Sequence, residues 1–104
     1  MEIPMTPTQI KKSIKSLGGW KVDHNKMIYR TFVMRDFIAA VNLINKISQI
    51  AEKMNHHPNI HLTGYRNLLI ELMTHDISGL SKKDFTQAQK INLLADRLNP
   101  KEHI

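Results

Sequence analysis

The chain has 104 residues, of which 41% are hydrophobic, enough for one domain with a modest core. The sequence contains no cysteine, which excludes disulfide bonds, thiolate catalysis and a thiolate zinc site. No stretch reaches the roughly 18 apolar residues of a membrane span, and the first residues lack the apolar run of a secretory signal. We therefore expect a single cytoplasmic domain over 1–104.

The formal net charge of +6 raises the question of a nucleic-acid partner, because clustered cations release counterions from phosphates. The cations are scattered along the chain: Lys11, Lys12 and Lys15 share the first predicted helix, and Lys82 and Lys83 begin the last one. No arginine-rich run or aromatic-interleaved basic stripe occurs. This pattern favours ordinary solvated surfaces over a nucleic-acid groove.

The first predicted elements are a helix and a β-hairpin. Thr6-Pro7-Thr8-Gln9 is a capping-box pattern, with threonine as the N-cap and proline at the first helical position, and a Gly-Gly pair ends the helix. From Trp20 onward the apolar residues alternate, which predicts two short strands around a turn at His24 and Asn25.

Asp36 is the predicted N-cap of a long helix. Its apolar residues recur at threes and fours and are predicted to face the core: Phe37, Ala40, Val41, Ile44, Ile47, Ala51 and Met54. Leu43 and Ile50 fall outside this stripe, so the helix is apolar around much of its circumference. This width favours a second contact surface, such as another copy of the chain.

The end of the long helix carries two adjacent histidines. Pro58 disfavours helical geometry at His57, so the helix should end around Asn55 or His56. The negative end of the helix dipole favours protonated imidazole at this position. Glu52, one turn before His56, is predicted to contact it.

A second alternating region predicts strands over 61–65 and 68–75. The alternation places Leu69, Met73 and His75 on the face opposite the most apolar run of the second strand. Apolar residues on both faces indicate that the second face is also covered, and the short chain has little left to cover it. We therefore expect a homodimer or a homotetramer.

Ser81-Lys82-Lys83-Asp84 is a second capping-box pattern and begins the last helix, which Asn99-Pro100 should stop. The element order is then α-β-β-α-β-β-α. This order predicts an α+β fold, with a four-stranded antiparallel sheet and helices packed on one face. Because such folds serve many functions, the architecture does not identify one.

His56-His57-Pro58 and Thr74-His75-Asp76 are the segments most informative about function. Imidazole exchanges protons near neutral pH, so three rings in one pocket would suit acid–base catalysis, although a histidine pair at a helix end can equally be a cap. His24 and His103, in a predicted turn and in the tail, are expected at the surface. His61 is either a fourth ring of the site or a strand residue, and its position favours the strand.

A set of residues in fixed order resembles the signature of the pterin-4a-carbinolamine dehydratases: Glu52, His56-His57-Pro58, Tyr65, His75 and Asp84. Other segments are similar to that family in the same order: Gly19-Trp20, Arg35-Asp36-Phe37, the residues 51–55 and the residues 79–85. The resemblance implies dehydration of 4a-hydroxytetrahydropterin to quinonoid dihydropterin in tetrahydrobiopterin recycling. It also implies that neither a metal nor an organic cofactor takes part.

The resemblance further implies which residues act. His56, His57 and His75 would be the catalytic set, because elimination needs an acid for the departing hydroxyl on C4a and a base for the proton on N5. His75 is the implied base and the helix-end pair supplies the acids. The remaining implied site residues would bind the pterin or line the helix end: Glu52, Asn55, Thr74 and Asp76.

One segment departs from the family pattern. Many members have a tryptophan two residues after the proline and one residue fewer before the tyrosine, whereas this chain has Ile60 and His61 in that region. A variant branch of the family has the longer spacing. The wall that the tryptophan would form must therefore differ here.

Two other functions are compatible with the residues. A metal site could use His56, His57, His61 and His75, but adjacent histidines rarely point at one ion and no carboxylate follows at a usual ligand spacing. The second is a noncatalytic binding or assembly module of the same fold. The resemblance raises this possibility because similar proteins serve as dimerisation cofactors or assist the assembly of other enzymes.

Overall fold

A computed structural model describes residues 2–98. Its helices are α1 (Pro7–Ser16), α2 (Phe37–Met54) and α3 (Lys82–Leu98). Its strands are β1 (Lys21–Asp23), β2 (Met27–Val33), β3 (Asn59–Thr63) and β4 (Asn67–Leu72), and a 3₁₀ turn (His75–Ile77) lies between β4 and α3. The element order confirms the predicted α+β fold.

The four strands form one antiparallel sheet in the order β1-β2-β4-β3. In the central pair, Ile28 lies opposite Leu72 and Phe32 lies opposite Leu68, and all four side chains are fully buried. Residues of the opposite parity, such as Leu69, are only half-buried. The sheet therefore has one core face, against which the helices pack, and one face that residues 2–98 leave open.

The N-caps of α1 and α2 form as the local sequence predicts. The Thr6 hydroxyl accepts from the Gln9 N–H at 3.2 Å, and the Gln9 side chain accepts from the Thr6 N–H at 2.9 Å, so the capping box is complete. Asp36 caps α2 by accepting from the Ala39 N–H at 2.8 Å. The predicted stop at Asn99-Pro100 lies outside the described residues.

The buried face of α2 differs from the predicted one. Its buried residues are Ala39, Ala40, Leu43, Ile47 and Ala51. Phe37, predicted in the core, is 53% exposed, and Leu43, predicted outside the stripe, is fully buried. Because apolar residues surround so much of this helix, their spacing alone does not determine which of them face the sheet.

Both predicted strands of the second hairpin end too late. β3 stops at Thr63 because Gly64 and Tyr65 adopt φ values of 54° and 57°, which form the turn. β4 stops at Leu72, and His75 lies in the 3₁₀ turn. The parity argument that placed His75 on the open face of the sheet is therefore wrong.

Asn92 of α3 joins the helix to the loop after α1 and to β2. Its side-chain oxygen accepts from Trp20 Nε1 and from Arg30 Nη1, both at 2.8 Å, and its amide donates to the Gly18 carbonyl at 3.0 Å. Arg30 also donates to Gly18 at 2.9 Å and lies 4.4 Å from the centre of the Phe32 ring. Burial lowers the pKa of the Arg30 guanidinium, and the charge of Asp96 opposes this effect.

Within residues 2–98, no helix combines the length and apolar character needed to cross a membrane.

Candidate active site

The end of α2 positions the first two histidines. The helix stops at Met54, and Asn55 adopts the left-handed conformation with φ of 50° and ψ of 48°. Asparagine tolerates this conformation better than most residues, and the following Pro58 cannot continue a helix. The predicted location of the histidine pair at a helix C-terminus is confirmed.

The three predicted catalytic histidines lie around one cleft of about 370 Å³, here called the histidine cleft. It is lined by Glu2, Asn55, His56, His57, Pro58, Asn59, Thr74, His75, Asp76 and Lys83. Of the predicted site residues, only Glu52 is absent from this lining. A larger cleft of about 420 Å³, beside the N-terminal segment and Lys82, contains none of these histidines.

His56 is buried and pairs with a carboxylate that the helical spacing did not predict. Its Nε2 lies 2.6 Å from Oδ1 of Asp84, which is fully buried near the start of α3. The expectation that Glu52 would contact His56 is wrong, because the left-handed turn at Asn55 breaks the i,i+4 geometry before the histidine is reached.

Asp84 is the centre of a buried hydrogen-bond network. Its Oδ2 accepts from the Thr74 hydroxyl at 2.8 Å and from the Ser81 N–H at 3.0 Å. The Thr74 and Ser81 hydroxyls are 2.7 Å apart. The predicted capping box of α3 is thus formed on its aspartate side, while the serine hydroxyl contacts Thr74. One turn further along α3, Gln87 Nε2 donates to the carbonyl of His56 at 2.8 Å.

The other histidines have different environments. His57 is 58% exposed, and its Nε2 contacts a carboxylate oxygen of Glu52, which is 76% exposed. His75 is exposed, and its ring has no hydrogen-bond partner within residues 2–98. His61 pairs with Glu71 at 3.0 Å and does not line the histidine cleft, which fits the strand role that its position favoured. The predicted surface position of His24 is confirmed by its 85% side-chain exposure.

Three of the residues around the histidines were not singled out from the sequence as part of a site. Glu2 and Lys83 line the cleft, and their charged groups are 3.6 Å apart. Gln87 holds the main chain of His56 from α3. No local pattern marks these three, since each reaches the site only through the packing of distant segments. Asp84 belongs to both the second capping-box pattern and the family signature, but neither pattern predicted its contact with His56.

Ile60 stands where many members of the family have a tryptophan, and it does not line the histidine cleft. That residue is half-buried against the core and lies opposite Ile70 of β4. The neighbouring Asn59 and Pro58 line the cleft in this part of the chain. Within residues 2–98, no group of three or more histidine or acidic side chains is arranged to hold a metal ion.

Comparison with known proteins gives consistent matches. The model of the family described as Pterin 4 alpha carbinolamine dehydratase matches residues 3–94. A Nostoc punctiforme protein that bears the name of a pterin-4-alpha-carbinolamine dehydratase is 43% identical over 89 residues. The matched region is 85% of this chain and 92% of that protein.

Two solved structures are similar. The crystal structure of a transcriptional coactivator/pterin dehydratase from Brucella melitensis has a TM-score of 0.84 at 30% identity, over 89% of this chain and 99% of that chain. A pterin dehydratase-like protein described as a RuBisCO assembly factor in the alpha-carboxysome has a TM-score of 0.62, over 74% of this chain and 89% of that chain. At 18% identity, the second likeness shows the fold alone.

Proposed function

Because the chain belongs to the pterin 4 alpha carbinolamine dehydratase family, we propose that it is a hydro-lyase that converts 4a-hydroxytetrahydropterin to quinonoid dihydropterin and water. The observation that carries this proposal is the convergence of His56, His57 and His75 on one cleft. The proposal treats 1–104 as one domain and includes a role in tetrahydrobiopterin recycling in the cytoplasm.

The reaction requires two proton transfers. The bond from C4a to the hydroxyl oxygen breaks as an acid protonates that oxygen, and a base takes the proton from N5 as the double bond between C4a and N5 forms. His56 and His57 each have a carboxylate beside Nε2, which stabilises a charged ring, and they are the proposed acids. His75 has no carboxylate partner among the described residues and is the proposed base.

The polar groups around the histidines would orient the substrate. Asn55 and Asp76 line the histidine cleft and are proposed to contact the pterin ring, which carries both hydrogen-bond donors and acceptors. Glu52 acts through His57, whose ring it contacts. Thr74 also lines the cleft, but its hydroxyl donates to Asp84, so we assign it a supporting role beside any contact with substrate.

The test is the rate of dehydration of a 4a-hydroxytetrahydropterin generated in the assay, after subtraction of the uncatalysed rate. We expect acceleration that persists after exhaustive chelation, and a loss of about 10²- to 10⁴-fold in His75→Ala, the usual value of one positioned acid or base. His61→Ala is the matched control, because that exposed ring lies outside the cleft.

The outcomes separate the alternatives. A rate equal to the uncatalysed one would exclude the hydro-lyase and favour the noncatalytic assembly module. Activity that chelators abolish would favour the metal alternative. Equal losses in His75→Ala and His61→Ala would contradict the assignment of His75.

The proposal also includes a homodimer or homotetramer. Its support is the half-buried Leu69 on the open face of the sheet, together with Phe37 and Ile38 of α2, which are 53% and 71% exposed. Light scattering should give a mass at least twice the 12.0 kDa of one chain. Leu69→Asp and Ile38→Asp are suitable disruptive variants, whereas Leu43 is fully buried and would report only on folding.

A further inference from the structure

We propose that Asp84 is a positioning residue that fixes the tautomer of His56, with the proton on Nε2, so that Nδ1 is the ring nitrogen that exchanges a proton with substrate. The catalytic part of this role rests on the proposed function. The tautomer itself follows from the hydrogen bonds of the buried network and can be measured without substrate.

The contacts of Asp84 determine the direction of each hydrogen bond. An ionised carboxylate only accepts hydrogen bonds, so the 2.6 Å contact requires a proton on His56 Nε2. The hydrogen of the Thr74 hydroxyl points at Asp84, and the Ser81 hydroxyl therefore donates to Thr74. Three donors converge on the carboxylate, which offsets the cost of burying its charge.

The main chain of His56 is held by the same face of α3. Gln87, one turn after Asp84, donates to the His56 carbonyl at 2.8 Å. The histidine is thus fixed at its ring and at its backbone by a single rigid helix. Since Nε2 is occupied by Asp84, Nδ1 is the only ring nitrogen left for a proton transfer in the histidine cleft.

This arrangement suits an acid. A doubly protonated ring keeps the proton on Nε2, which donates a hydrogen bond to Asp84, and transfers its Nδ1 proton to the departing hydroxyl. The bond between Nδ1 and hydrogen breaks, an O–H bond of water forms, and the electron pair of the bond from C4a leaves with the oxygen. The ring is left neutral, with its remaining proton still on Nε2 and donated to Asp84.

Replacing the carboxylate by an amide reverses this tautomer. In Asp84→Asn, the backbone N–H of Ser81 can only donate, so the amide oxygen must occupy the Oδ2 position. The amide NH₂ then faces His56 Nε2, which must accept. The neutral ring therefore carries its proton on Nδ1, and protonating Nε2 would break the new contact. An analogous Asp→Asn change in the serine-protease triad lowers kcat by about 10⁴-fold through the wrong tautomer.

The first measurement is the ¹⁵N NMR spectrum of histidine-labelled wild-type protein at a pH where the ring is neutral, with the His56 signals assigned by comparison with His56→Gln. We expect a protonated Nε2 and an unprotonated Nδ1. A protonated Nδ1 in the wild type would overturn the proposal, and this result does not depend on whether Asp84→Asn folds.

The second measurement compares Asp84→Asn with Glu71→Gln, which changes the carboxylate partner of His61 outside the cleft. Asp84→Asn should show the reversed tautomer and a fall in kcat of about 10²- to 10⁴-fold with KM little changed. Glu71→Gln should keep wild-type kinetics. A folded Asp84→Asn protein with the original tautomer or with wild-type kcat would overturn the positioning role.

The failure of the proposed function would look different. If wild-type protein did not accelerate the dehydration, the hydro-lyase proposal would fall, while the ¹⁵N spectrum would still decide the tautomer. Far-UV circular dichroism of Asp84→Asn and Glu71→Gln identifies any loss of fold before the kinetics are compared.

Discussion

Asn92→Ala should destabilise the protein more than removal of the buried cation at Arg30. Truncating Asn92 leaves Trp20 Nε1 without its acceptor in a side chain that is 5% exposed, and it removes one of the two acceptors of Arg30 Nη1. An unsatisfied buried donor costs about 1–3 kcal/mol, and a hydrogen bond to a charged group contributes about 1.5–3 kcal/mol. The expected loss is about 3 kcal/mol.

Arg30→Met leaves every acceptor of this cluster with another donor. The Gly18 carbonyl still accepts from Asn92, and the Asn92 oxygen still accepts from Trp20. The buried Arg30 Nε has no hydrogen-bond partner within residues 2–98, and burial lowers the guanidinium pKa, which means that the fold disfavours this charge. Relief of that cost offsets part of the stability lost with the hydrogen bonds and the cation–π contact, so we expect the free energy of unfolding to fall by about 1 kcal/mol.

Urea unfolding measures both changes, with the single tryptophan as a probe inside the cluster and circular dichroism as a second probe. At an m-value of about 1.5 kcal/mol/M, Asn92→Ala should lower the midpoint by about 2 M and Arg30→Met by less than about 1 M, at one fixed protein concentration. A larger loss for Arg30→Met than for Asn92→Ala would refute the reasoning. Folded Asn92→Ala should remain active, because its side chain does not line the histidine cleft.

Other expected outcomes follow from the backbone and from the chemistry of the site. Gly19→Ala should lower the free energy of unfolding by at least about 1 kcal/mol, because φ is 86° at this residue and the new Cβ would lie 2.5 Å from Arg30 Cζ. In urea titrations, the double variant with Arg30→Met should recover part of this loss. Asn55→Gly should keep the stability of the left-handed helix end and raise KM, whereas Asn55→Ala should also cost about 1 kcal/mol. The pH profile of kcat/KM should fall on both sides, since one ring must be charged and another neutral, and a flat profile from about pH 5 to 9 would contradict two-histidine catalysis.

Much of the fold could be predicted because its boundaries depend on neighbours in sequence. The capping box at Thr6, the cap at Asp36 and the helix stop before Pro58 all act within a few residues. Alternation in β2 also translated directly into burial. Each of these predictions needed no knowledge of which segments meet in space.

The errors arose where packing chooses among local possibilities. α2 is apolar around so much of its surface that contact with the sheet, not periodicity, buried Leu43 and exposed Phe37. The apolar alternation continued past Leu72 in sequence, but the chain leaves the sheet there and turns at His75. Alternation predicts the parity of a strand and contains no information about where its partner strand ends.

The candidate site shows the same division. The sequence placed three histidines near the ends of predicted secondary-structure elements, but it could not distinguish their chemical environments. His56 pairs with a carboxylate 28 residues away, through a left-handed residue that redirects it from the predicted partner Glu52. His57 has an exposed carboxylate and His75 has none among the described residues. The three identical side chains therefore differ in their partners, and the partner of His56 comes from a distant segment that only the fold brings to it. The role that we propose for His56 depends on this contact with Asp84, which the local sequence around the histidine does not predict.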